Sequence, residues 1–276
     1  MRVRVYSGYG TSQLSVGFTL QRFAEFGITA APILPDTIKE SHDWMDKTDL
    51  LVFTSNSVTK FMEALEQRGM DAIRHFVRVR GGLYLGICAG AYFGSHIADF
   101  RGQHLIKRAA CLNHFNVVAR GGLDDIMGRP YSGYSDSAAI VEMFDHETNK
   151  KFQSLYWGGP RFLLPEKQPH IKPLFWMLSA DKKEAYLMAI HGEVGKNGGH
   201  AFLLGNHCEV SRDNALKYIA FLSSGDYYDE RLGAKLLAAS EEAWQFPFER
   251  LLEHITAAHA RNLDPKIMPF AAAAAP

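Results

Sequence analysis

A cysteine with glycine two residues away on either side, in Gly86-Ile87-Cys88-Ala89-Gly90, is the clearest sign of covalent chemistry in this chain. Gly81-Gly82 precedes a short apolar run, Leu83 to Ile87, which predicts a buried strand. Ala89 to Phe100 predicts the start of a helix. Cys88 then occupies a strand–nucleophile–helix turn, with sulfur where the hydrolase form of the motif carries a serine hydroxyl. Gly86 and Gly90 remove the Cβ atoms that would collide around so tight a bend. The thiol would project from the carboxyl end of a strand onto a helix N-terminus, where free N–H groups and the helix dipole favour a thiolate. The Ala89 N–H is placed to hold a developing oxyanion. The competing reading is a buried structural cysteine in an ordinary βα turn, since free cysteine is among the most buried residue types. Glycines, strand and helix standing in register favour the elbow.

A cysteine nucleophile needs a base, and the base needs a partner to orient it. The chain has 12 histidines, so position must choose among them. His207 follows the predicted strand His200 to Gly205, which brings it to the sheet edge expected for Cys88. Glu209, two residues on, can set the tautomer of the His207 ring. A polar loop after a strand is the alternative for this pair. Cys208 between them reads as packing, with redox coupling to Cys88 as the other option. Metal binding is the remaining use for Cys and His, but Cys111-Leu112-Asn113-His114 has no second ligand pair. No C-x-x-C or His-Glu-x-x-His occurs, which argues against zinc. Ser7-Gly8-Tyr9-Gly10 lacks the third glycine of a dinucleotide loop, and no cofactor is expected. Tyr84, Tyr92 and Phe93 read as core beside the elbow, Tyr92 being the one that could reach a cleft. Arg78, Arg80, Lys107 and Arg108 read as solvated charge.

Predicted strands at 2–6, 30–34, 49–53 and 83–87 alternate with helices at 12–26 and 58–79, the second broken at Gly69. Such alternation implies a parallel sheet covered by helices on both faces, with its site beyond the carboxyl ends of the strands. Residues 101–160, rich in Gly and Pro, break the pattern and predict a β-rich insert. Lys196-Asn197-Gly198-Gly199 between two apolar runs predicts a hairpin. Ser211 should cap a helix to about Ser223, and further helices should fill 226–262, with Pro247 opening the second. The tail, Ala271 to Pro276, is low complexity. Over 276 residues, Lys+Arg and Asp+Glu balance at 30 each, so no charge field calls for nucleic acid or an anionic membrane. Three cysteines without a disulfide framework, no leader before the first strand and no apolar run of about 18 residues lead to the expectation of a cytoplasmic protein.

The residues around Cys88, from Gly81 to Ser95, together with His207-Cys208-Glu209, resemble the class I glutamine amidotransferase superfamily. More narrowly, the chain is similar to the amidotransferase-like domain at the N-terminus of some biotin–protein ligases, also found as stand-alone bacterial proteins. Val5-Tyr6-Ser7-Gly8, Pro130-Tyr131-Ser132-Gly133-Tyr134, Tyr156-Trp157-Gly158-Gly159-Pro160 and Val194-Gly195-Lys196 extend the likeness over about residues 2–224. The resemblance implies a flavodoxin-like α/β fold and a Cys88–His207–Glu209 triad. Two positions depart from the family pattern. Cys208 replaces the proline of His-Pro-Glu, and Thr54-Ser55-Asn56 replaces a Pro-Gly-Gly whose backbone N–H completes the oxyanion hole. Ser55 or Asn56 must then supply that donor, and a non-glycine residue at positive φ is strained, asparagine least. A lost oxyanion donor costs roughly a hundredfold or more in rate.

These readings divide the chain into an amidotransferase-like domain (1–224), a C-terminal helical extension (225–270) and a tail (271–276). They predict a cysteine-dependent hydrolase or amidotransferase-like enzyme that opens an amide or related C–N bond of a small molecule or peptide through an acyl-enzyme. The alternative is a binding or regulatory protein that keeps the fold without the reaction. No adenylate loop of the Gly-Arg-Gly-Arg kind accompanies the ligase likeness, so biotin transfer is not expected. Full amidotransfer would need a separate synthase partner. Phe246, Phe248, Leu251, Leu252 and Ile255 recur at helical spacing, either docked on the core or forming a homodimer surface.

Overall fold

The structure, a computed structural model, describes residues 1–101, 104–106, 111–164, 168–222 and 230–263. Lys107, Arg108 and the tail lie outside them. The first half alternates as the apolar pattern requires: β1 (Val3–Tyr6), α1 (Gln13–Glu25), β2 (Ala30–Ile33), α2 (Pro35–Glu40), α3 (Asp43–Asp46), β3 (Leu50–Phe53), α4 (Val58–Arg78), β4 (Leu83–Ile87) and α5 (Ala89–Gly94). The middle is mostly strand: β5 (Ser95–Phe100), β6 (His104–Ile106), β7 (Phe115–Gly121), the single turn α6 (Asp124–Met127), β8 (Ala139–Asp145), β9 (Lys151–Tyr156), β10 (Pro160–Leu163), β11 (Ile171–Leu178) and β12 (Ala185–Val194). The chain then returns through β13 (Gly199–Leu204) and β14 (Asn206–His207) to α7 (Arg212–Leu222), α8 (Glu230–Ala238) and α9 (Glu241–Leu263).

One sheet of ten strands runs β14-β9-β8-β11-β12-β13-β4-β3-β1-β2. Its half from β13 to β2 is parallel throughout. The other half continues antiparallel through β12, β11, β8, β9 and β14. Strands buried on both faces must be apolar on both, and β3 is buried at every position. Leu51 and Phe53 face a core shared with Phe61, Leu65, Ile73 and Phe76 of α4. Leu50 and Val52 face the opposite core, with Val16 and Phe23 of α1 and Phe248, Leu251 and Ile255 of α9. Helices therefore cover both faces. The expected hairpin is the antiparallel pair β12–β13. The insert contributes a second sheet, β10-β7-β5-β6, whose Ala98, Val117, Ala119 and Phe162 pack on the α4 side. Among the described residues, no helix is long and apolar enough to cross a membrane.

Four local expectations are corrected. The helix after Cys88 ends at Gly94, where the Ser95 hydroxyl donates to the Ala91 carbonyl at 2.8 Å. Residues 95–100 instead pair with β7, so tertiary pairing overrides helical continuation. The break in α4 falls at Glu66 (φ 54°), not at Gly69. Gly69 stays helical, and Leu65 and the stem of Lys39 lie close to where a Cβ on it would stand. Pro247 lies inside α9 rather than at its start. That helix begins earlier, at a Ser240 cap whose hydroxyl accepts the Ala243 N–H at 3.2 Å. Buried Trp244, donating to the Val210 carbonyl at 2.8 Å, anchors its first turn through packing. Arg78 is half-buried and donates to the Asn113 carbonyl rather than lying in solvent. The apolar residues of α9 from Phe248 onward are buried within the chain's own core, the docked arrangement rather than a free dimer face.

Candidate active site

Three neighbouring parallel strands, β13, β4 and β3, end side by side. Leu204 is in register with Ile87, and Phe53 with Gly86. The residues that follow those ends are His207, Cys88 and Ser55-Asn56, so a single sheet edge receives all of them.

Cys88 has φ 53° and ψ −108°, a conformation few side-chain-bearing residues adopt. Surrounding contacts impose it. The Cys88 N–H donates to the Leu204 carbonyl at 2.9 Å, and the Gly90 N–H to the Thr54 carbonyl at 3.2 Å. The Tyr84 hydroxyl donates to the Gly90 carbonyl at 2.7 Å. A Cβ on Gly90 would stand 2.1 Å from the Phe53 carbonyl oxygen, and one on Gly86 would stand 2.4 Å from that of Gly90. Both elbow glycines are thus required by backbone, not by movable side chains. Cys88 is half-buried, while Cys111 and Cys208 are buried. All three are free thiols.

β14 pairs antiparallel with β9, His207 opposite Leu155. His207 Nδ1 lies 2.8 Å from Glu209 Oε1, and both side chains are buried. Burial alone would discharge the ring, but the Glu209 carboxylate and then the Cys88 sulfur outweigh it and hold the His207 pKa well above 6.5. His207 Nε2 is buried and makes no hydrogen bond, so no S–H···N bond to Cys88 is formed. With Nδ1–H given to Glu209, Nε2 is the nitrogen left for the thiol proton.

The altered segment Thr54-Ser55-Asn56 is held against the start of α1. Thr11 and Asn56 form an isolated antiparallel bridge. Its bonds run from Ser12 N–H to the Ser55 carbonyl at 3.4 Å and from Ser57 N–H to the Gly10 carbonyl at 3.1 Å. This bridge does not use the Asn56 N–H. Asn56 has φ 148°, the positive-φ strain expected of a residue replacing glycine here. Ser55 turns its hydroxyl to Ser15, donating at 2.8 Å. The Ala89 N–H opens α5, where no intrahelical acceptor exists for it.

Two cavities meet at Cys88. One, of about 200 Å³, extends over Ala89, Tyr92, Phe100, Tyr131 and Trp157. The other, of about 310 Å³, reaches Ser12, Ser55, His207 and Tyr218. Asn56, Cys88, Tyr131 and Trp157 border both. Tyr92 does reach the cleft, its hydroxyl donating to the Gly158 carbonyl at 3.0 Å. Tyr84 and Phe93 stay in the core. The Trp157 carbonyl lies 3.8 Å from the Cys88 sulfur. The roof formed by Tyr131 and Trp157 was not legible as such. Both residues sit in Gly-rich segments of the insert, and no local pattern ties them to a strand end some 40–70 residues away.

Two outcomes follow from this geometry. In the native protein, iodoacetamide should modify Cys88 alone: burial pushes the Cys111 thiol up to about 12 and the Cys208 thiol well above its usual range. Peptide mass mapping should find one modified site in the folded protein and all three after unfolding. The raised His207 pKa also links stability to pH. A group that binds its proton more tightly when folded contributes fully below the unfolded value of 6.5 and loses that contribution as pH rises through the folded value. The stability gap between wild type and His207→Gln, measured by urea unfolding, should therefore narrow on the alkaline side.

Comparison with known proteins supplies the kinship. The family described as "Biotin-protein ligase, N terminal" matches residues 1–264. The chain is 27% identical over 228 residues to the biotin–protein ligase of Schizosaccharomyces pombe, covering 78% of this chain but only 34% of that protein. It is 32% identical over 251 residues to an uncharacterized protein of Chlamydia muridarum, covering 86% of this chain and 95% of that one. Among solved structures, a glutamine amidotransferase of Thermotoga maritima superposes with a TM-score of 0.54 at 15% identity, covering 92% of this chain and 97% of the other. A glutamine amidotransferase of Methylobacillus flagellatus gives 0.51 at 12% identity, with 95% of each chain covered. At such identities the likeness establishes an amidotransferase fold and nothing further.

Proposed function

The chain belongs to the biotin–protein ligase N-terminal family, and from that membership and the site geometry we propose that it is a cysteine-dependent acyl-transfer enzyme opening an amide or related C–N bond. The observation that carries this reading is Cys88 on its strained elbow beside a His207–Glu209 pair joined at 2.8 Å. With the thiol proton already passed to His207 Nε2, as the raised pKa of that ring favours, Cys88 Sγ attacks the carbonyl carbon. The C–N bond breaks, His207 passes the proton to the departing nitrogen, and a thioester remains on Cys88. Water then attacks the thioester, giving its proton to His207, which returns it to the sulfur. The Ala89 N–H and the Asn56 N–H receive the oxyanion. Asn56 is favoured over Ser55, which touches only the larger cavity.

The ligase activity named for the yeast relative belongs to a protein of which this chain covers 34%. The reaction proposed here is acyl transfer at Cys88, with released ammonia or amine going to solvent or to a separate partner. The test uses p-nitrophenyl acetate as a small acyl donor. Wild type should give a burst of nitrophenolate and an acetyl adduct on the Cys88 peptide, removable by hydroxylamine. Cys88→Ala should give neither. No adduct on wild type, or equal turnover by Cys88→Ala, overturns the reading.

A further inference from the structure

The two cavities at Cys88 differ in what they could hold, and beyond His207 itself, which borders only the larger one, neither offers a partner for a full charge. Among the described residues, no Asp, Glu, Lys or Arg borders either of them. Besides Cys88 and His207, the ionisable groups there are Tyr92, Tyr131 and Tyr218. Burial raises the pKa of each, which keeps their hydroxyls neutral. A free α-amino acid brings an ammonium and a carboxylate with it. Removing either from water without an opposite charge is strongly unfavourable.

The smaller cavity is instead walled by rings. Phe100 meets Tyr131 at 90° with centroids 5.4 Å apart, and Tyr92 meets Phe100 at 78° and 6.0 Å. The backbone of Trp157 borders the side nearest the sulfur, its carbonyl 3.8 Å from Sγ. Edge-to-face walls present ring faces and hydrogen-bearing edges together, the complement of a flat π system. The volume of about 200 Å³ exceeds the roughly 150 Å³ apolar cavity that accepts benzene. It would take one six-membered ring with its carbonyl carried at the mouth. The polar margin, Asn56, Ser57 and Thr59, is uncharged.

Resting on the acyl-transfer reading above, we propose that the acyl group delivered to Cys88 is an uncharged planar one, an aromatic or heteroaromatic carboxamide, rather than a free α-amino acid. The ring lies between Tyr92, Phe100 and Tyr131, and its carbonyl meets Cys88 and the Ala89 N–H. The departing nitrogen then leaves on the side of the larger, hydroxyl-rich cavity, where His207 protonates it.

Two probes with the same chloromethyl ketone warhead test this. One carries a phenyl group, the other the zwitterionic amino-acid end of glutamine. Labelling rates at Cys88, each divided by that probe's rate with glutathione, should favour the phenyl probe at least about tenfold. Tyr131→Ala should shrink that ratio, because the ring loses one wall while the zwitterion loses nothing specific. Equal rates, or a preference for the zwitterion, with labelling still dependent on His207, overturn the aromatic assignment and leave the acyl-transfer reading standing. Failure of both probes to exceed glutathione, with no dependence on His207, overturns both.

Discussion

His207→Gln is expected to slow acylation of Cys88 by about a thousandfold, within the range for removing a general base. Glutamine keeps an amide donor that can face Glu209 Oε1, now 2.8 Å from Nδ1. The carboxylate therefore keeps a partner, and the loss falls on proton transfer. His207→Leu should behave differently. Glu209 is fully buried, and stripping its partner leaves an uncompensated charge, a destabilisation of about 3–5 kcal/mol. Burst kinetics with p-nitrophenyl acetate and urea unfolding together separate the two effects. A glutamine variant that acylates at the wild-type rate would show that His207 is not the base. Glu209→Gln should lower the raised His207 pKa, since the carboxylate is the leading favourable influence on it. The pH dependence of Cys88 alkylation would follow that change.

Gly90→Ala is expected to cost about 3 kcal/mol or more, or to prevent folding, because overpacking against a rigid neighbour exceeds the usual range for a methyl group. The added Cβ would stand 2.1 Å from the Phe53 carbonyl, which belongs to a central strand, so neither side can give way. Any variant that folds should also lose acylation, since the elbow must open to admit the methyl and Cys88 moves with it. Gly17→Ala is the matched control. Gly17 is exposed within α1 and has nothing within 4 Å of its would-be Cβ. There alanine should stabilise by about 0.5–1 kcal/mol through helix propensity. Denaturation midpoints of the two variants should move in opposite directions, and a shift of the same sign in both would contradict the steric account of the elbow.

The elbow and the parallel half of the sheet were legible because each is written in contiguous residues. Gly86 and Gly90 bracket Cys88 within five positions, and β3 and β4 are short runs buried at every step. His207 was placed by one inference, that a residue following a hairpin strand reaches the strand ends. The parallel pairing of β13 with β4 sets the ends of those two strands side by side. The short α5 and the proline inside α9 were not legible, because in both cases a distant contact overrode a local preference. Ser95–Phe100 found β7 to pair with, and Trp244 anchored a helix start ahead of Pro247.

From its sequence alone the chain showed where a strand–turn–helix bend carries Cys88 and that Glu209 follows a strand closely. Those are short-range matters, governed by backbone sterics and strand periodicity over a few residues. What walls the sulfur was settled by folding: Tyr131 and Trp157 come from the insert, and Asn56 joins them from the end of another strand. The shape and neutrality of the cleft are sums over side chains remote in sequence, and only close packing of two sheets brings them together.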